Sequence, residues 1–330
     1  MSSSGTSRGW TLRVGIDLGG TKIAGIVLAG DARILVRQRV PTPRDDYEAT
    51  LAAIRKMVRN LLRVSVRKFN AMGRDVEQMS FTPVGIGMPG SLNPVSGLVQ
   101  NANSTWLNGM PFLRDLRDVI GRPVRLANDA NCFAISEAID GAGAREGVTF
   151  GVILGTGCGG GVVVDGELRD GPLGVTGEWG HTPLPHPNAE EYPGPSCWCG
   201  RRGCMETWVS GPALARDHRD ITDETLRAED VVSAAMMGDA AASATFARFV
   251  DRLGRGLATV VNIVDPDVIV LGGGLSDVSA LYERLPDAIA PHVFADHVAI
   301  NIRKPRWGAM SGVRGAARLW SIEDVRALWV

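Results

Sequence analysis

Two glycine-rich turns, each set between two short apolar segments, constrain the fold of this chain more than any other feature. The first turn, residues 17–22, separates apolar segments 12–16 and 23–28, and the second, residues 154–161, lies between two similar segments. Glycine accounts for 41 of the 330 residues, above the usual share of about 7%, and it shows no collagen-like period. Because each turn opens a series of strand patterns followed by helix patterns, we expect two α/β lobes with a cleft between them.

The spacing of apolar residues predicts the elements around these turns. The predicted strands are residues 12–16, 23–28, 34–40, 84–88, 124–126, 150–154, 161–164 and 268–271. The predicted helices are residues 47–68, 131–140, 240–263 and 311–320. The chain has no internal repeat of the length that is typical of a solenoid.

The first turn, Asp17-Leu18-Gly19-Gly20-Thr21-Lys22, has the residues that a phosphate site needs. The backbone N–H groups of paired glycines can surround phosphate oxygens, and the Thr21 hydroxyl adds a donor. Asp17 would hold a hydrated Mg²⁺, because this ion binds carboxylate and phosphate oxygens. The GxxxxGK[ST] spacing of a P-loop is absent, and an ordinary β-hairpin is the alternative interpretation.

Two further glycine segments are candidate nucleotide sites. Residues 155–161 have the same setting as the first turn, and a bound phosphate would compensate for the weak local structure of so many glycines. Gly272, Gly273 and Gly274 follow the apolar segment 268–271, and open α/β sheets bind ligands where such strands end. The alternatives are a flexible β-turn for the former and a strand-to-helix turn for the latter.

Asn128 and Asp129 stand where a predicted strand meets a predicted helix. Asn and Asp are favoured helix N-caps, which is the structural interpretation of the pair. The functional interpretation is a carboxylate that accepts the proton of a sugar hydroxyl during phosphoryl transfer. One residue can cap the helix while its neighbour is the base, so both interpretations stay open at this point.

Three cysteines within eight positions, Cys197, Cys199 and Cys204, are typical of a metal site, and His181 lies sixteen residues before the first of them. A Cys₃His set completes a tetrahedral structural zinc site and leaves no open position for catalysis. Three unrelated thiols, or a disulfide with a free thiol, are the alternatives. Close cysteines in a reducing compartment favour the metal.

The zinc would order residues 181–204, which we call the knuckle. Two carboxylates, Glu178 and Glu206, flank the knuckle and are well placed to accept hydrogen bonds from the hydroxyls of a sugar ring. Cys132 and Cys158 lie elsewhere in the chain and are predicted to be structural thiols.

The bulk composition argues against two classes of partner. The formal net charge is −1, which gives no general attraction to nucleic acid or to an anionic membrane. No apolar segment reaches the ~20 residues that span a bilayer. Residues 1–9 lack the apolar core of a signal peptide and are predicted to be a disordered tail. We therefore expect a cytoplasmic protein.

In combination, these motifs resemble the ROK family of repressors and sugar kinases. The motifs are the turn from Asp17 to Thr21, the Asn128-Asp129 pair, the segment Glu178-Trp179-Gly180-His181 and the cysteine knuckle. Local similarity is closest to bacterial fructokinases of the manno(fructo)kinase type in residues 41–47, 101–109, 125–132 and 177–185. The resemblance implies an α/β, two-lobed, actin-like ATPase (ribonuclease H-like) fold with an interlobe cleft, whose C-terminal helix returns to the first lobe.

The resemblance also implies a domain division and an assembly. A small lobe would contain residues 10–125 with 311–330, and a large lobe would contain residues 126–310 with the knuckle. The protein would be a homodimer that binds a sugar and ATP but neither nucleic acid nor membrane. Its cofactors would be Mg²⁺ with ATP and a structural Zn²⁺.

The resemblance assigns roles to individual residues. Asp129 would be the catalytic base. The residues implied in sugar binding are Asn103, Asn128, Asp129, Glu178, His181 and Glu206. The residues implied in ATP binding are Asp17, Gly19, Gly20, Thr21, Lys22, Gly155, Thr156, Gly157, Gly159, Gly272 and Gly273, with Asp17 binding Mg²⁺ through water. His181 would bind zinc through one ring nitrogen and a sugar hydroxyl through the other. Residues 186–196 match no motif of the family.

The predicted reaction is the ATP-dependent phosphorylation of D-fructose to fructose 6-phosphate. The family also uses mannose, glucose and N-acetylated sugars, so a kinase of another hexose or N-acetylhexosamine is the alternative. A sugar-responsive regulator without catalysis is less favoured, because Asp129 and both phosphate turns are present.

A DNA-binding repressor is a further alternative within the family. Its members place a helix-turn-helix domain before the phosphate turn, and sixteen residues before Asp17 are too few for one. A basic stripe recurs every four residues, at Arg55, Arg59, Arg63 and Arg67. It could contact phosphates, but a solvated face of an amphipathic helix is the favoured interpretation.

Overall fold

The computed structural model describes residues 11–71 and 82–328, so the predicted tail at residues 1–9 lies outside the described residues. The chain forms two compact units. The first contains the described residues up to Cys132, residues 172–174 and the described residues from Gly312 onward; the second contains Phe133–Gly171 and Val175–Ser311.

The described elements follow the predicted order, with added and longer segments. The strands are β1 (Leu12–Leu18), β2 (Lys22–Ala29), β3 (Ile34–Pro41), β4 (Val84–Met88), β5 (Ser91–Leu92), β6 (Val99–Gln100), β7 (Val124–Asn128), β8 (Val148–Leu154), β9 (Cys158–Val164), β10 (Glu167–Leu168), β11 (Val268–Gly272) and β12 (Ile302–Arg303). The helices are α1 (Tyr47–Ala71), α2 (Phe112–Ile120), α3 (Asp129–Asp140), α4 (Glu206–Val209), α5 (Gly211–Thr222), α6 (Ala228–Met236), α7 (Ala240–Val264), α8 (Ser279–Ile289), α9 (Ser311–Arg318) and α10 (Ile322–Ala327).

The first unit is built on a sheet in the order β3-β2-β1-β4-β7. The first three strands are antiparallel, whereas β1, β4 and β7 run parallel. Strand β4 is buried along its whole length, as expected for a parallel strand that is covered on both faces. Strand β7 pairs with β4 as far as Asn128, two residues beyond its predicted end. For this reason residues 126–128 belong to the first unit, although the predicted boundary lies at residue 125.

Helix α1 buries its apolar face in the core of the first unit. The buried residues include Leu51, Ile54, Val58 and Leu61. The residues of the predicted basic stripe, Arg55, Arg59, Arg63 and Arg67, are exposed. The spacing of about 3.6 residues per turn separates these two sets on the helix surface.

The C-terminal helices complete the first unit, and α9 lies directly on its sheet. A Cβ at Gly15 in β1 or at Gly85 in β4 would overlap a backbone oxygen of α9. The buried Arg13 donates its Nη1 to the carbonyl of Trp320 at 3.1 Å, and the Trp320 indole donates to the carbonyl of Val84 at 3.0 Å. The prediction of a single helix over residues 311–320 is therefore wrong about where the helix ends. Helix α9 stops at Arg318, and α10 starts after a capping box at Ser321.

The second unit is built on a sheet in the order β10-β9-β8-β11-β12. Helix α7 supplies much of its core through Phe246, Phe249, Leu253 and Leu257. The helix starts where predicted, because the Asp239 side chain accepts a hydrogen bond from the third residue of the helix at 2.8 Å. Among the described residues, we find no helix that is both long and apolar enough to cross a membrane.

Candidate functional site

The first glycine turn joins β1 to β2 and leaves three residues accessible. The Gly19 N–H donates to the Lys22 carbonyl at 3.0 Å, and the Thr42 hydroxyl donates to the Gly19 carbonyl at 2.6 Å. Gly20, Thr21 and Lys22 are exposed. Thr42 thus holds the turn at Gly19 and also at Thr21, since its N–H donates to the Thr21 carbonyl at 3.1 Å, and the exposed residues stay accessible to a ligand.

Asp17, the predicted Mg²⁺ ligand, lies near the end of β1. Burial raises the pKa of the Asp17 carboxyl, while the positive charges of Lys22 and Arg39 lower it in part. Helix α9 approaches the carboxylate through Gly312, where a Cβ would lie 3.4 Å from Asp17 Oδ2. A nearby cation favours the ionised form of such a carboxylate. This chemistry fits the role that we predict for Asp17 toward Mg²⁺.

Asn128 ends β7 and Asp129 begins α3. The side-chain Oδ1 atoms of both residues accept a hydrogen bond from the Ala130 N–H, each at 2.8 Å. Asn128 Nδ2 also donates to the carbonyl of Gly90 at 3.2 Å. Asp129 is exposed, whereas Asn128 is half-buried. The amide of Asn128 is therefore tied to the fold at both of its ends, and Asp129 presents its carboxylate at the surface.

Gly90 also connects this pair to the segment of Asn103. A Cβ at Gly90 would lie 2.7 Å from the nitrogen of Ala102, so Gly90 packs closely against the residue before Asn103. Gly90 also accepts the hydrogen bond from Asn128 and therefore lies between the two segments. The Asn108 side chain accepts from the N–H of Ala102 and donates to its carbonyl, both at 2.9 Å. The sequence analysis missed this supporting role of Asn108, because an amide that satisfies a loop backbone has no local pattern of its own.

The second glycine turn is shorter than predicted. The Gly155 N–H donates to the Gly157 carbonyl at 3.0 Å, and β9 begins at the next residue. Residues 159–161 pair with residues 151–153 of β8, so the predicted strand start at residue 161 is wrong. Gly159, an expected nucleotide contact, lies within this strand.

One glycine of β9, Gly160, leaves room for two aromatic rings. A Cβ at Gly160 would lie 2.7 Å from Trp179 Cδ1 and 2.8 Å from Phe150 Cζ. The Trp179 indole donates to the carbonyl of Gly159 at 3.1 Å. Packing against rings therefore accounts for Gly160, which resembled part of a continuous loop in the sequence.

The third glycine segment lies beside the second turn. Gly272 pairs with Ile153 of β8. Gly273 has a φ of 81°, and a Cβ there would overlap the carbonyl of Leu154. Glycine is required at this left-handed, closely packed position. The structure thus brings two of the three predicted nucleotide segments together within the second unit.

Three predicted sugar ligands lie together beside β9. Glu206 accepts a hydrogen bond at each oxygen, from Trp198 Nε1 to Oε1 at 2.7 Å and from the Cys158 N–H to Oε2 at 3.0 Å. Burial raises the pKa of Glu178, the charge of His181 lowers it, and the charge of Glu206 raises it further. Direct contacts connect the three residues, because the His181 N–H donates to the Glu178 carbonyl at 3.1 Å and the His181 ring packs against Trp198, whose indole donates to Glu206.

Two of the separations among the knuckle residues match those of a tetrahedral zinc site. Their ligand atoms all lie within 4.8 Å of one another. Ideal tetrahedral geometry would place two zinc-bound sulfurs about 3.8 Å apart, and a zinc-bound sulfur and nitrogen about 3.6 Å apart. The observed distances are 3.7 Å between Cys199 Sγ and Cys204 Sγ and 3.6 Å between Cys197 Sγ and His181 Nδ1. The residues therefore fit zinc, with Nδ1 as the histidine ligand atom.

The other two cysteines are buried outside this cluster. Burial raises the pKa of the Cys158 thiol well above its ordinary value, and the charges of Glu206 and Glu178 raise it further. Cys158 is therefore a neutral thiol whose backbone N–H, rather than its sulfur, contributes to the site. Cys132 is fully buried in the first unit.

Residues 186–196, for which no role was predicted, fasten the knuckle to α7. Glu191 accepts hydrogen bonds from Arg252 at 2.8 Å and from Arg255 at 2.8 and 3.0 Å. Arg255 also donates to the carbonyls of Pro185 and His186, both at 2.9 Å. Burial alone would raise the pKa of Glu191, but the guanidinium groups of Arg255 and Arg252 lower it to about 2.

Comparisons with known proteins agree over nearly the whole chain. Residues 13–323 match the model of the ROK family. The N-acetyl-D-glucosamine kinase of Haemophilus influenzae (strain 86-028NP) is 37% identical over 314 residues, which cover 93% of this chain and 98% of that protein. The ROK hexokinase of Thermus thermophilus has a TM-score of 0.76 and 33% identity, covering 93% of this chain and 96% of that one. A ROK family glucokinase from Streptomyces griseus, in complex with glucose and AMPPNP, has a TM-score of 0.71 and 29% identity, covering 93% and 98%. The predicted α/β, actin-like ATPase fold is confirmed.

Proposed function

Because this chain belongs to the ROK family, we propose that it is an ATP-dependent kinase of an N-acetylated hexose, with N-acetyl-D-glucosamine as the acceptor. The observation that supports a sugar acceptor is the grouping of Glu178 and Glu206 beside His181, which the Glu178–His181 hydrogen bond and the Trp198 contacts establish. Carboxylates accept hydrogen bonds from hydroxyl groups, and a sugar ring presents several such donors. The choice of acceptor follows the kinase of Haemophilus influenzae, which is similar over 93% of this chain.

The fructose prediction is not supported. It depended on short segments of local similarity, whereas the similarity to an N-acetyl-D-glucosamine kinase extends over 314 residues. The alternative that we weighed against fructose, a kinase of another hexose or of an N-acetylhexosamine, fits better. No observation favours a regulator without catalysis, since the Asp129 carboxylate is exposed at the start of α3.

In the proposed reaction, the oxygen of the sugar 6-hydroxyl attacks the γ-phosphorus of ATP. The bond between this phosphorus and the β,γ-bridging oxygen breaks, ADP leaves, and Asp129 accepts the hydroxyl proton. The Ala130 N–H holds Asp129 Oδ1, which restricts the directions of the carboxylate. Positioning and charge stabilisation supply most of the rate in such transfers, and Mg²⁺ bound with ATP would compensate the phosphate charge.

The remaining residues would bind and orient the two substrates. The proposed sugar ligands are Asn103, Asn128, Asp129, Glu178, His181 and Glu206. The turns at residues 19–21 and 155–157 would bind phosphates, and Gly272 with Gly273 would contact adenosine. Since His181 Nδ1 faces the thiols, its Nε2 is left for a sugar hydroxyl. A zinc ion with four protein ligands would be structural, because no coordination position stays open.

A coupled assay of ADP release tests this proposal. The panel contains N-acetylglucosamine, N-acetylmannosamine, glucose, mannose and fructose, each with MgATP. We expect the highest kcat/KM for N-acetylglucosamine. A higher value for fructose would restore the fructose prediction, and a failure to phosphorylate any of the five sugars would contradict the kinase itself.

A further inference from the structure

Trp198 connects the knuckle to a candidate sugar ligand. It stands between Cys197 and Cys199 in the chain, and its indole Nε1 donates to Glu206 Oε1 at 2.7 Å. Its ring packs edge-on against the His181 ring, with 5.0 Å between centroids and 84° between planes. The residue is 56% exposed, so burial of apolar surface is a minor part of its role.

We propose that Trp198 is a positioning residue that orients the Glu206 carboxylate for the sugar. The inference rests on the proposed function, because the contact between Glu206 and the sugar belongs to that proposal. It adds a residue to which neither the motifs nor the comparisons assign a role.

The hydrogen bonds of Glu206 determine how it can meet a sugar. An ionised carboxylate can accept about four hydrogen bonds, two at each oxygen. The protein uses one at each oxygen, through Trp198 Nε1 and the Cys158 N–H. One position therefore remains on each oxygen, and this pattern matches two hydroxyl groups on neighbouring carbons of a ring.

Without the indole donor, the orientation of this carboxylate would be poorly defined. The terminal torsion of a glutamate has a broad energy minimum, so the side chain alone does not fix the carboxylate plane. The Cys158 N–H holds one oxygen and leaves rotation about that contact. The indole N–H holds the other oxygen, and a zinc ion bound by Cys197 and Cys199 would fix the backbone on both sides of Trp198.

The substitution Trp198→Phe separates orientation from packing. Phenylalanine keeps a six-membered aromatic ring beside His181 but lacks the N–H donor and the five-membered ring of the indole. A hydrogen bond to a charged group contributes enough that we expect the KM for the sugar, and its Kd measured by calorimetry without nucleotide, to rise about 10-fold. The KM for ATP, the zinc content and the Tm should stay at the wild-type values.

A matched control is available in the same unit. The Trp307 indole donates to the Asp140 carboxylate at 3.2 Å, so Trp307→Phe removes the same type of hydrogen bond away from the candidate sugar ligands. We expect its KM for the sugar to equal that of the wild type. An unchanged KM in Trp198→Phe, an equal rise in both variants, or loss of zinc in Trp198→Phe would overturn the proposal.

A second measurement does not depend on activity. The indole ¹H–¹⁵N signal of Trp198 is one of eight tryptophan signals and is identified by its absence in Trp198→Phe. In Glu206→Ala it should move upfield, because its acceptor is lost. A signal that does not move overturns the role of Trp198 even when the wild type is an active kinase. A wild type that phosphorylates no sugar, in contrast, overturns the proposed function and the sugar-orienting role with it.

Discussion

Asn128 and Asp129 are adjacent polar residues whose side chains make different contacts with the fold. The sequence left open which of them caps a helix and which is a base. In the structure both accept from the same N–H, but only Asn128 is also fastened to Gly90. Because the Asp129 carboxylate is exposed, we propose Asp129 rather than Asn128 as the base.

We expect Asp129→Asn to reduce kcat by a factor of about 10² or more, because the amide keeps the shape of the carboxylate but cannot accept the proton. The Kd for the sugar should change much less. The coupled assay measures the former and calorimetry the latter. Asp118→Asn, at an exposed position of α2, is the control for loss of a charge. Near-normal turnover in Asp129→Asn would exclude it as the base.

The glycines of β9 give a second prediction at the level of single residues. Gly160→Ala places a methyl group against Trp179 and Phe150, and overpacking of this kind costs about 1–3 kcal/mol. Gly155→Ala is the control, since no atom lies within 4 Å of the added Cβ. Denaturant unfolding should show the loss of stability only in the first variant. Equal stability of the two would argue against a tightly packed strand at Gly160.

Among the elements, the knuckle has the strongest local signal in the sequence. Three of its ligands lie within eight positions, so spacing alone indicates the metal. We expect one zinc ion per wild-type chain and its loss in Cys199→Ser, together with a higher KM for the sugar, because Trp198 and Glu206 would lose their support. Metal analysis by mass spectrometry measures the zinc, and Cys132→Ala, outside the knuckle, should retain it. Wild-type protein purified without zinc would contradict the assignment.

Residues 186–196 could not be interpreted from the sequence, because their partners are distant in the chain. Glu191 meets Arg252 and Arg255, 61 and 64 residues away. The sequence does contain one indication of this pairing, because Arg252 and Arg255 lie within the long amphipathic pattern of α7. Charged side chains that are buried in such a helix require partners. That signal identifies the arginines but not the carboxylate that pairs with them.

We expect Glu191→Gln to destabilise the fold by about 3 kcal/mol at neutral pH, since it leaves buried guanidinium groups with weaker partners. The pKa of Glu191 falls from 4.5 to about 2 on folding. This carboxylate therefore stabilises the fold fully above about pH 4.5, and the contribution is lost as the pH falls toward 2. Thermal unfolding between pH 7 and pH 3 should show a smaller acid-induced fall of Tm in Glu191→Gln than in the wild type. The exposed neighbour Glu190→Gln should behave like the wild type, and a Glu191→Gln profile parallel to the wild-type one would contradict the pairing.

At the scale of the whole molecule, the sequence was sufficient for the family, the fold class and the order of elements. Short motifs such as Asp17 to Thr21 and the knuckle mark the family because their spacing reflects local chemistry. They do not mark the acceptor sugar, since any hexose would present similar hydroxyl groups to the proposed ligands Glu178 and Glu206. Full-length similarity was needed to move from fructose to N-acetylglucosamine, and the homodimer stays a prediction that light scattering can test against the 35.1-kDa chain.

The position of α9 on the first sheet has a consequence for synthesis on the ribosome. Gly15 and Gly85 are shaped to receive a helix that is translated after the whole second unit, and the buried Arg13 donates to the carbonyl of Trp320, which lies 307 residues later in the sequence. At about 5–20 residues per second, the nascent first sheet waits for tens of seconds with this face uncovered. The residues of the second unit, in contrast, have all been translated before Gly312 is added. We therefore expect the second unit to form the first stable core, and a truncation before Ser311 to leave the first unit, rather than the second, bound to chaperones.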